Sequence, residues 1–192
     1  MAVLSMAVSL YAIALLLRPV LRPAFLQTSP VPLMVFVHLA GGGLALGLGP
    51  FQFLASQRAR RPTLHRWLGR VYVAAILAGG VAGLVLACFS QGGMVAHTGF
   101  GLLALAWLYT TASAFLSIRR GAVTAHRLWM MRSFALTLAA VTLRIYLPVS
   151  LIAGMSFDSA YPVIAWACWV PNLLVAEWAI SRRARLRPVV VA

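Results

Sequence analysis

The sequence predicts an all-α polytopic membrane protein: a bundle of six transmembrane helices with a two-fold internal repeat. Three observations support this fold class. Of the 192 residues, 62% are hydrophobic, only 9% are charged, and the apolar residues fall into long runs. A soluble domain carries about 25% charged residues, so the composition excludes a water-soluble globule. Lipid is the solvent in which such a chain can fold.

Six apolar runs approach or exceed the roughly 20 helical residues that cross the hydrocarbon. We place them at residues 2–17, 33–56, 63–90, 94–118, 124–155 and 160–180, within one integral membrane domain that covers residues 1–192. The first run is short. It lacks a basic leader and a small-residue cleavage site before Arg18-Pro19, so we interpret it as a retained helix rather than a signal peptide.

The charged residues predict the orientation. All 16 basic residues are arginine, and they lie in short blocks between the apolar runs, whereas nucleic-acid binding would need a basic face on a soluble domain. Arg18 and Arg22 lie on the minority side and Arg144 lies inside a span. Because arginine is retained on the cytoplasmic side, both termini are predicted to be cytoplasmic. The arginines on that side are Arg58, Arg60, Arg61, Arg66, Arg70, Arg119, Arg120, Arg127, Arg132, Arg182, Arg183, Arg185 and Arg187.

The four histidines occupy equivalent places in an internal repeat that pairs residues 33–90 with 94–155. Val37-His38-Leu39-Ala40-Gly41 returns loosely as Ala96-His97-Thr98-Gly99, and Thr63-Leu64-His65-Arg66 returns as Thr124-Ala125-His126-Arg127. The threonine that opens each of the last two segments is the expected N-cap of its helix. Parallel repeats are related by an axis along the membrane normal, so equivalent histidines should face one another at equal depth.

The depths of the histidines predict two haem sites. A rise of 1.5 Å per residue places His38 with His97 near the outer end of the spans and His65 with His126 near the cytoplasmic end. Two facing imidazoles can take the two axial positions of a haem iron, with the porphyrin between the helices. We therefore expect two bis-histidine haem b sites, one near each membrane face. Several glycines would let a flat macrocycle approach the outer site, although close helix packing explains them as well: Gly41, Gly42, Gly43, Gly99 and Gly101.

Three arginines are candidate partners for the haem propionates. Arg70 and Arg132 lie less than two turns inward from the cytoplasmic histidines, and Arg144 returns to the depth of the outer ones. An arginine inside a span is a functional candidate by default. Snorkelling to the outer headgroups beside Tyr146 is the alternative for Arg144.

The remaining polar residues of the spans have structural explanations. Glu177 is expected to form a salt bridge with Arg70 or Arg132 rather than to carry protons. Interhelical hydrogen bonding is favoured over lining a quinone pocket for Asn172, Gln52 and Thr110.

Five segments carry the first of two resemblances: His38 through Gly49-Pro50-Phe51-Gln52-Phe53, His65-Arg66-Trp67-Leu68-Gly69-Arg70, His126-Arg127-Leu128-Trp129-Met130-Met131-Arg132, Thr142-Leu143-Arg144 and Trp169-Val170-Pro171-Asn172-Leu173. The first is to the bacterial membrane family named domain of unknown function 2306, over about residues 33–180, which implies a bacterial cytoplasmic (inner) membrane. The other is to the transmembrane di-haem cytochromes b, which pass electrons from ascorbate or a similar donor across a membrane. It implies that the second and fourth spans bind one haem and the third and fifth the other. This second resemblance is architectural and rests on six spans with paired histidines on the second to fifth.

The favoured function is therefore haem-based electron transfer between a donor and an acceptor on opposite membrane faces, or with the quinone pool. Haem b is the expected cofactor, a quinone is a second candidate, and membrane lipid is the expected partner. The alternative is a non-catalytic accessory or scaffold subunit of a larger membrane complex, whose histidines and arginines bind lipid headgroups or partner proteins. A hydrolase is disfavoured because the sequence has no HExxH, no GxSxG and no neighbouring carboxylates.

Overall fold

A computed structural model describes residues 2–21 and 29–185 of the chain. Arg22 and Arg187, whose sides of the membrane were predicted above, lie outside the described residues. Within those two ranges the regular structure is helical, with a 3-10 turn at Pro19–Leu21. The α-helices are α1 (Ala2–Leu17), α2 (Pro32–Gln52), α3 (Ala55–Arg60), α4 (Pro62–Ala87), α5 (Gly93–Arg119), α6 (Val123–Thr137), α7 (Ala139–Ile152), α8 (Phe157–Ala167) and α9 (Val170–Arg185).

Five helical segments of the described residues are long and apolar enough to cross a membrane, with α6–α7 and α8–α9 each forming one of them. α1 is apolar, but its 16 residues span about 24 Å, short of the roughly 30 Å hydrocarbon core. The all-α membrane class is confirmed, and each bound falls within about four residues of its sequence prediction. The five segments are Pro32–Gln52, Pro62–Ala87, Gly93–Arg119, Val123–Ile152 and Phe157–Arg183.

Short connections between α4, α5 and α6 require neighbouring helices to run antiparallel. Gly92 (φ 90°) and Gly93 (φ 64°) turn the chain into α5, and Gly121 (φ 75°) turns it into α6. These are left-handed backbone angles that glycine adopts without steric cost. One end of the bundle holds the connections 53–61 and 120–122 and the last turn of α9. We call it the arginine-rich end, and we call the other one the opposite end.

The prediction that Thr63 and Thr124 are helix N-caps is wrong. α4 begins one residue earlier, at Pro62, and α6 begins at Val123, and neither N-cap residue makes a side-chain hydrogen bond. Proline is favoured at the first helical position because its φ is already helical and its missing N–H would have no partner there. Pro62 therefore sets the start of α4.

His65 and His126 nevertheless occupy the same helical position. His65 donates its backbone N–H to the carbonyl of Arg61 over 3.1 Å, and His126 donates to Ala122 over 2.9 Å. Arg61 and Ala122 are the N-cap residues of their helices. Each imidazole is thus carried by the first turn of its helix, at the arginine-rich end.

A buried set of hydrogen-bonded hydroxyls joins α4, α5 and α6. Tyr72 is fully buried, and its Oη lies 3.1 Å from Thr137 Oγ1 and 3.3 Å from Ser133 Oγ. Ser133 Oγ lies 2.8 Å from Thr111 Oγ1, and Trp107 Nε1 donates to Thr137 Oγ1 over 2.9 Å. Interhelical hydrogen bonds in membranes contribute about 0.6 kcal/mol each, so this set fixes the packing of three helices.

Glycines bring helix backbones close together. A Cβ on Gly41 would collide with the carbonyl oxygen of Ala75 and lie 2.9 Å from Gly79 Cα, and one on Gly43 would lie 3.2 Å from Ala12 Cβ. The packing explanation is therefore confirmed for Gly41 and Gly43.

Candidate functional site

A cavity of about 400 Å³ lies toward the opposite end of the bundle. Its volume is within the range of about 300–1,000 Å³ that is typical of small-molecule sites. Its wall is formed mainly by apolar side chains of α2, α4, α5, α6 and α7, and Phe89, Ser90 and Gln91 of the α4–α5 connection lie at one side. Two ionisable residues predicted from the sequence, His38 and Arg144, line it.

His38 is oriented by the neighbouring helix α4. Its Nδ1 lies 2.8 Å from the carbonyl oxygen of Gly79, and because a carbonyl only accepts, Nδ1 carries the hydrogen. The Nε2 lone pair remains available to a ligand. A Cβ on Gly83 would lie 2.9 Å from His38 Nδ1, so the glycine leaves room for the ring. Metal-binding histidines characteristically donate their other ring N–H in this way.

Arg144 is half-buried in the cavity wall, and no carboxylate of the described residues forms a salt bridge with it. Its Nη1 donates to the carbonyl of Ala140 over 2.9 Å, and its Cζ lies 5.5 Å from the centroid of the Tyr11 ring. The acids of the chain are Asp158 and Glu177, and neither lines the cavity. A guanidinium in an apolar wall without a counter-ion favours an anionic ligand.

His97 does not share this arrangement. Its Nε2 donates to the carbonyl oxygen of Ser90 over 2.8 Å, and His97 is not among the described residues that line the cavity, although Ser90 is. The two outer histidines predicted to act as a matched pair therefore differ in which ring nitrogen is available and in whether they reach the cavity.

His65 and His126 both lie in the first turn of their helices at the arginine-rich end. His126 Nδ1 donates to the carbonyl of Ala114 over 2.9 Å, which leaves Nε2 available to a ligand. His65 Nδ1 is buried and has no hydrogen-bond partner among the described residues. His126 thus keeps a ring nitrogen without a hydrogen-bond partner in the described part of the chain, whereas the free Nδ1 of His65 is enclosed by the protein.

Arg70 and Arg132 have different partners. The Cζ of Arg70 lies 5.1 Å from the Trp67 ring centroid, and that of Arg132 lies 4.7 Å from the Trp129 ring centroid. Arg132 also forms a bidentate salt bridge with Glu177. Its Nε donates to Oε1, and its Nη2 donates to Oε2 over 2.8 Å. The predicted salt bridge of Glu177 is confirmed for Arg132, and an anionic ligand at Arg132 would compete with that carboxylate.

The family described as predicted membrane protein (DUF2306) matches residues 35–180. The chain belongs to this family. The match includes all four histidines and the three candidate arginines, and the family's description states a membrane location without an activity. Neither the curated proteins nor the solved structures contain a match to the chain.

The salt bridge between Arg132 and Glu177 should contribute to the stability of this DUF2306 protein. Glu177→Gln should lower the free energy of unfolding by about 1 kcal/mol, because Arg132 loses its charged acceptor and the pair is partly exposed. The effect stays below that of a fully buried pair, since the side chains are 21% and 42% exposed. Thermal unfolding in mild detergent measures it. Asp158→Asn removes the other acid and serves as the control, and equal melting temperatures for the two variants would contradict the prediction.

Three other polar residues singled out in the sequence lie away from the cavity wall. Asn172 Nδ2 donates to Thr142 Oγ1 over 3.0 Å, so interhelical bonding is confirmed for Asn172. Thr110 donates within its own helix, to Ala106, over 2.8 Å. Gln52 is 6% exposed, and its Nε2 has no hydrogen-bond partner among the described residues.

Sequence reasoning missed Gly79, Gly83 and Tyr11, which position the two ionisable residues of the cavity. The signal for the glycines is their spacing of one turn on α4, where a glycine inside a helix costs about 1 kcal/mol relative to alanine and so requires a packing reason. Tyr11 carries no comparable signal, because an aromatic residue in an apolar helix is ordinary.

Proposed function

We propose that the protein is a haem-binding transmembrane electron-transfer protein of the bacterial cytoplasmic membrane. The observation that carries this proposal is the cavity, which is lined by both His38, with its available Nε2, and Arg144, which has no salt-bridge partner among the described residues. An imidazole is an axial ligand of haem iron, and a cation in an apolar wall suits a propionate. When bound, haem b supplies one-electron oxidation and reduction.

The donor set fits a haem better than a metal held by the protein alone. A structural zinc takes four protein ligands, and the described residues contain no group of three or more His, Cys, Asp or Glu that could hold a metal ion. A porphyrin supplies four nitrogens itself and asks the protein for one or two. In the cavity His38 would bind the iron and Arg144 would hold a carboxylate, while the apolar wall excludes water.

We propose a second haem at the arginine-rich end, with His65 and His126 as axial ligands. The free Nε2 of His126 and the position of both rings in the first turn of their helices at the same end of the bundle support it. Arg70 is the candidate propionate partner there, because Arg132 is already neutralised by Glu177. Two centres, one toward each membrane face, would let electrons cross the bilayer or exchange with the quinone pool, and a quinone is the alternative occupant of the cavity.

The proposed topology has six spans, a two-fold repeat and cytoplasmic termini. α1 would be the additional span beside the five long ones, and its packing into the bundle supports this. Ser9 Oγ donates to the carbonyl of Gly43 over 2.7 Å, and Tyr11 lies against Arg144. The orientation follows from retention of arginine on the cytoplasmic side.

A second candidate function has its own support. Arginine and tryptophan side chains pair at the arginine-rich end, as Arg70 and Arg132 do and as Arg182 does with Trp178 at 4.8 Å. Tryptophan and arginine are typical of a membrane interface that faces anionic headgroups. A non-catalytic accessory subunit would use this end to bind lipid or a partner protein.

A visible spectrum tests the proposal. The chain is expressed with added haem precursor, purified in mild detergent, and measured as a reduced-minus-oxidised difference. We expect the α-band of a b-type haem and a haem content that approaches two per chain. Purified chain with no α-band would overturn the electron-transfer proposal and favour the accessory subunit. An apolar variant of Arg144, Arg144→Leu, distinguishes a specific site from haem absorbed by detergent micelles, since only a specific site loses haem.

A further inference from the structure

We infer that His38 is the one histidine of the described residues that would bind the iron of the cavity haem, that the second ligand position of the iron is open to a small exogenous ligand, and that His97 instead ties the cavity wall to α5. The inference rests on the proposed function, because it concerns the coordination of the haem proposed there. It departs from the symmetric outer pair that the repeat in the sequence predicts.

The hydrogen bond of His97 prevents coordination through Nε2. A carbonyl oxygen only accepts, so the contact with Ser90 at 2.8 Å requires the hydrogen to be on Nε2 of His97. In His38 the corresponding bond is made by Nδ1, which leaves Nε2 without a hydrogen. The two rings are therefore in opposite tautomers, and only that of His38 offers the nitrogen that normally binds haem iron.

The placement of His97 also keeps its other nitrogen away from the cavity. Phe100, Leu103 and Ala104 of α5 line the cavity, whereas His97, one turn before Phe100, is not part of the described wall. Its ring turns back along the chain to Ser90, seven residues earlier. Coordination by either nitrogen would require the ring to leave Ser90 and enter the cavity.

The bond made by His97 has a structural role of its own. Ser90 is part of the α4–α5 connection, lines the cavity, and donates its Oγ to the carbonyl of Ala87 over 2.9 Å. His97 ties this connection to α5, so it fixes this part of the cavity wall. Release of His97 would leave the Ser90 carbonyl without its partner and loosen that wall.

The chemistry of the cavity indicates which ligand the open position takes. The cavity wall is mostly apolar, so the open position suits a small uncharged molecule such as a diatomic gas. Arg144 in the same wall can donate a hydrogen bond to such a ligand, and polarity and donors beside the iron govern ligand binding in haem proteins. At the arginine-rich end His65 and His126 would occupy both axial positions, so that haem would stay closed.

Carbon monoxide added to the dithionite-reduced, haem-loaded protein tests the inference. We expect about half of the haem to change its spectrum, with the same fraction in His97→Gln, whose amide can still donate to Ser90. In His38→Ala the carbon monoxide response should disappear, and in His126→Ala it should persist.

Each contrary result has a separate meaning. Wild-type protein that shows an α-band but no response to carbon monoxide overturns the inference and leaves the proposed function standing, and a response that appears only in His97→Gln would identify His97 as an axial ligand. If the carbon monoxide response is lost in His126→Ala but kept in His38→Ala, the open position belongs to the haem of His65 and His126, and the inference is also overturned. Protein without an α-band overturns both proposals. The wild-type measurement decides the matter even where a variant fails to fold.

Discussion

His38→Ala should remove the haem of the cavity and halve the haem content of the purified protein. The imidazole is the ligand that the cavity offers, oriented by the Gly79 carbonyl over 2.8 Å. Loss of an outer-shell partner of a metal ligand costs about 10–100-fold in affinity, so loss of the ligand itself should cost more than about 100-fold. Haem content and the reduced-minus-oxidised spectrum measure the loss, and the remaining centre should keep its own α-band.

Two controls separate a lost ligand from a lost fold. Cys168→Ala alters another buried side chain of the same cavity wall and should retain both haems. Free imidazole added to His38→Ala during haem loading should restore the missing centre, because the deleted ring leaves a space of its own shape. Full haem content in His38→Ala without imidazole would show that the iron is bound elsewhere.

The membrane class and the span positions were predictable because hydropathy acts locally. Each span carries its own excess of apolar residues, and no distant residue has to be known to recognise it. The start of α4 was misplaced for an equally local reason: Pro62 competes with Thr63 for the helix start, and proline at the first helical position prevails.

The orientation of the histidine rings was not predictable in the same way. His38 is turned by Gly79, 41 residues further along the chain, and space for the ring exists because Gly83 has no side chain. The proposed repeat would make His38 and His97 equivalent in sequence, yet their rings meet different neighbours after packing. Sequence similarity between two segments predicts equal backbone placement but does not predict the side-chain rotamer.

The different environments of Arg132 and Arg144 were also not predictable from the local sequence. Arg132 and Arg144 both lie within a span and both looked like partners for an anionic cofactor. The chain has two acids, and packing brings Glu177, 45 residues from Arg132, to that guanidinium. Arg144 is left in a wall without a carboxylate, so the argument for a bound anion rests on Arg144 more than on Arg132.

The largest effect on stability is expected for Gly41→Ala. The new Cβ would collide with the Ala75 carbonyl oxygen and lie 2.9 Å from both Cα and N of Gly79. These are backbone atoms, so relief requires α2 and α4 to move apart. Overpacking of this kind costs about 3 kcal/mol, and the gain in helix propensity returns at most about 1 kcal/mol. We expect a net loss of about 2 kcal/mol, measured by thermal unfolding in detergent without added haem.

Gly42→Ala is the matched control, one residue along the same helix. No atom lies within 4 Å of a Cβ built on Gly42, so only the helix-propensity gain remains and the variant should be more stable than wild type by about 0.5–1 kcal/mol. Because composition and helix position are nearly identical in the two variants, opposite signs can only come from the α2–α4 crossing. Equal shifts in both would mean that the two helices do not meet at Gly41 and Gly79, and the wall that carries His38 would then need a different arrangement.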